Sequence, residues 1–71
     1  MTIQERIKCL RIEHNPPLTQ AQLGKILHMS QRAISRLETG EAHLQDNDIK
    51  AYCEFFGVSA DYILGITNKN K

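Results

Sequence analysis

The stretch LTQAQLGKILHMSQRAISRLETG, residues 18–40, decides the fold. Thr19 and Gln22 have the spacing of a capping box, in which each side chain satisfies the other residue's free backbone N–H. That signal opens a helix over Gln20–Leu27, with Leu23 and Leu27 on its buried face and Ile26 beside them. Gly24 lies on the same face. Glycine costs helix stability, so here it marks room for another backbone to come close. His28-Met29-Ser30 then breaks the helix, and Ser30 is a good N-cap for the next one, Gln31–Thr39. Gly40 fits the position just past its end, where a left-handed residue closes a helix.

Turned at about 100° per residue, the second of these helices divides into two arcs. Gln31, Ser35, Thr39, Arg32 and Arg36 share one; Ala33, Leu37, Ile34 and Glu38 share the other. The inner arc ties the helix to a core, and the outer arc is polar throughout and rich in forked donors.

Upstream, Thr2 and Glu5 repeat the capping-box spacing and open a first helix. Ile3, Ile7 and Leu10 fall on one face of it. Pro16 and Pro17 have no N–H to donate and forbid its continuation, and Asn15, preceding a proline, is expected to be non-helical. Downstream, after the turn Glu41–Leu44, Asp46 is expected to cap a helix reaching Phe56, with Ile49, Tyr52, Cys53 and Phe56 inward and Gly57 at its end. Ser59 caps a short helix, Ala60–Leu64, stopped by Gly65. No alternation of apolar residues argues for a strand, so the class is all-α. One domain over residues 1–66 with a flexible tail, 67–71, is expected.

Composition agrees. A chain of 71 residues holds one small core. With 41% hydrophobic and 24% charged residues it reads as a soluble globular domain. No apolar run approaches the ~18 residues of a membrane span, and charge throughout residues 1–15 argues against a signal peptide, so a cytoplasmic location is expected. Cys9 and Cys53 stand far apart and read as reduced thiols, and His14, His28 and His43 share no ligand spacing with them; neither a metal nor a cofactor is expected. Net charge is +1, but residues 19–40 carry +2 and residues 41–56 carry −3. A polyanion is therefore expected at the first forty residues.

Two short helices joined by a tight turn, the second with a donor-rich outer arc, have the form of a helix-turn-helix, whose second helix enters the major groove of double-stranded DNA. Arginine suits guanine O6/N7 and glutamine suits adenine N6/N7, so Gln31, Arg32 and Arg36 are candidate base readers. Ser30 and Ser35 are better placed for phosphate or a lone base edge. Gln20, at the start of its helix, is near free backbone N–H groups that favour an anion, and Lys25 is a surface lysine within reach of one.

The chain resembles the Cro/CI-type (XRE) helix-turn-helix family in L-T-Q at 18–20, Leu23 and Leu27, Ser30, Ile34 and Ser35, and E-x-G at 38–40. The likeness extends to R-I-K-x-L-R at 6–11 and F-G-V-S-x-D-Y-I-L-G at 56–65. The resemblance implies a compact five-helix, lambda-repressor-like domain of a transcription regulator. It implies a repressor that binds a palindromic operator as a homodimer, as in prophage repressors, antitoxins and controllers of restriction–modification operons. It matches Gln31, Arg32 and Arg36 to base-reading positions and Gln20 to a phosphate contact. It pairs Arg11 with Glu38, with Arg11 also within reach of a phosphate. Relatives dimerise through the C-terminal region, which makes Phe55 and Tyr62 residues of either the interface or the core and adds Ile66 as a further interface candidate.

Three features depart from the family pattern. His28 stands where glycine is usual in the turn, HNPPL lengthens the first link, and Glu41, Asp46 and Asp48 put carboxylates where a phosphate-facing lysine or arginine is common. The acidic stretch keeps open a second reading, a protein-binding module of the same fold such as an antitoxin core or antirepressor. No Ser/His/Asp set, metal cluster or glycine-rich phosphate loop suggests an enzyme.

Overall fold

The computed structural model describes residues 1–67. Five helices follow one another: α1 (Ile3–Glu13), α2 (Gln20–Leu27), α3 (Gln31–Thr39), α4 (Asp46–Phe56) and α5 (Ala60–Leu64). Of the tail expected at 67–71, residues 68–71 lie outside the described residues.

The helix starts are set by side chains. Thr2 Oγ1 accepts the Glu5 N–H at 3.1 Å while Glu5 Oε1 accepts the Thr2 N–H at 2.8 Å. Thr19 and Gln22 do the same at 3.0 and 2.9 Å. Ser30 Oγ accepts from Ala33, and Ser59 Oγ from Tyr62, each at 3.0 Å. The fourth helix corrects the sequence reading. Its cap is Gln45, not Asp46: the Gln45 N–H is taken by Asp48 Oδ2 at 2.9 Å, and Asp46 is already helical. A carboxylate three residues into the helix reaches back to the cap, and both carboxylates meet the positive end of the helix dipole.

Every helix sends something to the core. Ile7 of α1, Leu23 of α2, Ile34 and Leu37 of α3, Tyr52 of α4 and Ile63 of α5 are all at most 3% exposed. Ile3, Leu10, Leu27, Cys53 and Phe56 pack around them. Ile26 remains 41% exposed, so the apolar stripe of α2 is narrower than its sequence suggests. Cys9 and Cys53 are free thiols.

The junction of α2 and α3 is tight. Met29 N–H donates to the Gly24 carbonyl at 2.7 Å. A Cβ on Gly24 would stand 2.5 Å from the Met29 carbonyl oxygen, so only glycine lets the two segments meet. His28 makes the turn in the left-handed region, at φ 59° and ψ 42°. The longer link between α1 and α2 is tied back at both ends. Leu18 N–H donates to Arg11 O at 3.2 Å. His14 Nδ1 donates to Pro16 O at 2.9 Å, and its ring stacks on Phe55 with centroids 5.4 Å apart. No helix among the described residues is long and apolar enough to cross a membrane.

Candidate nucleic-acid interface

The third helix is seated on one side and free on the other. Ile34, Leu37 and Glu38 are buried, whereas Gln31, Arg32, Arg36 and Thr39 are exposed and Ser35 is half-buried. Ile34 and Leu37 lie at i and i+3, and Gln31, Arg32, Ser35 and Arg36 fall on the opposite side, so anchoring and display follow from one helical period.

The seat is also polar. Glu38, with a side chain 3% exposed, accepts Arg11 Nε at 2.7 Å through Oε2 and Arg11 Nη2 at 2.9 Å through Oε1. Its Oε1 also accepts Gln20 Nε2 at 3.2 Å. Arg11 Nη1 donates to the Leu18 carbonyl at 2.9 Å. One carboxylate thus fastens α3 to α1 and to the first residue of α2. The hydrogen bonds to Glu38 push the Arg11 guanidinium above its ordinary pKa. Burial, and then the charge of Glu38, push the Tyr52 hydroxyl well above the usual phenol range, and that hydroxyl has no hydrogen-bond partner among the described residues.

Around the exposed arc stand further donors. Gln20 spends one amide N–H on Glu38 and keeps the second, beside the N-terminus of α2. Ser30 is exposed, and its oxygen caps α3 while its own proton remains available to an acceptor. Lys25 is exposed on α2. Arg36 Nε lies 3.5 Å from Glu41 Oε2, both side chains more than half exposed.

A family model described as helix-turn-helix matches residues 18–63, which run from just before the cap of α2 into α5. The chain belongs to the helix-turn-helix family. This helix-turn-helix domain is 36% identical over 64 residues to an HTH-type transcriptional activator, BcrR, of Enterococcus faecalis. The match covers 90% of the domain and 30% of BcrR, so the chain spans less than a third of that relative. Among solved structures it is similar to the P22 c2 repressor, solved in complex with a synthetic operator, at TM-score 0.80 and 31% identity. That likeness covers 90% of this chain and 94% of the other. Family and fold are those of DNA-binding transcription regulators.

The helix-turn-helix domain places the three C-terminal aromatic and aliphatic candidates differently. Phe55 is half-buried, stacked on His14 and set edge-on to Phe56 at 4.9 Å. Tyr62 is half-buried with the Arg6 guanidinium 4.9 Å above its ring. Ile66 is 72% exposed. Two residues carry more than sequence reasoning gave them. Arg6 enters the sequence reading only through the R-I-K-x-L-R likeness, yet it is 8% exposed and packs on Tyr62; its place four residues before Leu10, on the flank of the apolar stripe, signals partial burial but not the partner. Glu41 reads in the sequence as a repelling carboxylate, yet it forms an exposed ion pair with a base-reading candidate; nothing in the local sequence announces that contact.

Proposed function

We propose that this helix-turn-helix domain, residues 1–66, reads operator DNA for a transcription regulator. It acts as a repressor and as a homodimer on a palindromic site. It works in the cytoplasm, without cofactor and without catalysing a reaction. Helix α3 enters the major groove, with Gln31, Arg32 and Arg36 on base edges. Gln20, Ser30, Ser35 and Lys25 approach phosphates, and Arg11, which holds Glu38, lies behind them within reach of the same backbone. Two copies meet through the C-terminal region, where Ile66 is exposed and Phe55 and Tyr62 are half-exposed. The recognition helices then meet half-sites about 10 base pairs apart.

The observation that carries this reading is the one-sided burial of α3. Its inner residues are sealed in the core while Gln31, Arg32 and Arg36 remain in solvent. A helix held so firmly pays little to order its donors on meeting an edge they fit. The P22 c2 repressor, of the same fold, is described with an operator, which supports the same partner here.

Selection from a random oligonucleotide pool tests it. Recovery of a palindrome is expected. Arg32→Ala or Arg36→Ala then relaxes preference at one base pair and costs about 1–3 kcal/mol of binding. A DNA reader must also lose affinity steeply as salt rises. Binding that is indifferent to sequence and to salt rejects the assignment and favours the protein-binding reading.

A further inference from the structure

We propose that Glu41 is a specificity-determining residue: it aims Arg36 at its base pair. The inference rests on the reading of α3 given above and concerns the same surface.

The backbone puts Glu41 where it is. Gly40 turns left-handed at φ 85°, which reverses the chain at the end of α3. The Ala42 N–H then donates to the Arg36 carbonyl at 3.1 Å, and the Thr39 hydroxyl donates to the same oxygen at 3.3 Å. Residue 41 is therefore folded back over the last turn of the helix. Its carboxylate meets the Nε side of the guanidinium at 3.5 Å.

A guanidinium carries five N–H donors in one plane. A carboxylate on the Nε side occupies the side edge of that plane and leaves the end edge, one N–H from each terminal nitrogen, open to a second acceptor. Two parallel donors at that end match O6 and N7 of a guanine in the major groove. An arginine without such an anchor samples many rotamers and reaches neighbouring phosphates as readily as a base. Glu41 narrows that choice. As a bare carboxylate it would repel every duplex alike; as an anchor it favours the duplex in which the aimed fork finds guanine.

The charge and the anchor are separable. Asp46 is exposed and belongs to the same acidic segment, so Asp46→Asn makes the same charge change without touching Arg36. Fluorescence anisotropy at fixed salt compares a selected duplex with one altered at the base pair whose preference Arg36→Ala abolishes. Asp46→Asn is expected to raise affinity for both duplexes equally. Glu41→Gln is expected to raise affinity for the altered duplex more, lowering discrimination at that pair by about 2- to 5-fold, the range an exposed ion pair supplies. In an Arg36→Ala background, adding Glu41→Gln leaves the ratio unchanged. Discrimination preserved in Glu41→Gln, with a uniform gain like that of Asp46→Asn, overturns the role of Glu41 and leaves the reading of α3 standing. Absence of any sequence preference in the parent domain overturns both.

Discussion

His28 holds the turn between α2 and α3 in the left-handed region, where a β-carbon crowds the following carbonyl and costs an L-residue roughly 1–2 kcal/mol. Glycine is free of that crowding but gains entropy in the unfolded chain, which returns part of the difference. His28→Gly is therefore expected to stabilise the domain by about 0.5–1 kcal/mol, read as a higher midpoint in chemical denaturation with an unchanged slope. A lower midpoint means the imidazole makes a contact worth more than the strain. The left-handed turn was legible in the sequence because a helix must end between Leu27 and Ser30. The bond from Arg36 to Glu41 was not legible, because residues five apart at a helix end meet only after the chain has turned back.

At the scale of elements, the closest fit is between α2 and α3. The Met29 carbonyl occupies the space a side chain at Gly24 would need. Gly24→Ala gains helix propensity worth roughly 1 kcal/mol, but the clash is with backbone, which cannot rotate away. We expect a net loss of about 1–3 kcal/mol in thermal or urea unfolding, together with weaker DNA binding because α3 is pushed off its seat. A variant as stable as the parent means the turn can open without penalty. The spans of these helices were legible because Thr2, Thr19, Ser30 and Ser59 cap them through short local hydrogen bonds. Helix α4 was misread by one residue because Asp46 and Asp48 are equally good first-turn acids, and only the hydrogen bond to Gln45 separates them.

At the scale of the molecule, a core of six buried apolar side chains among the described residues leaves little margin. The bond of Arg11 to Glu38 sits beside that core. Arg11→Met strands a buried carboxylate and is expected to cost about 3–5 kcal/mol, enough to unfold much of the population at room temperature. Arg11→Met combined with Glu38→Leu removes both charges and is expected to regain most of the loss, as circular dichroism during urea unfolding will show. Equal instability of the single and double variants would mean that the stems of these side chains, not their charges, carry the effect. The pairing itself was reached only through family resemblance. That Gln20 shares the same carboxylate, and that Arg6 lies over Tyr62, depends on how helices remote in sequence come together, and no local pattern encodes it.

Three helices hang from the single carboxylate of Glu38. If α3 reads DNA as proposed, it has no private hinge, and a tilt that would accommodate an ill-matched base pair drags its neighbours along. A wrong site is met with lost contacts instead of an adjusted pose. Selectivity is then written in how long an encounter survives, far more than in how often one begins.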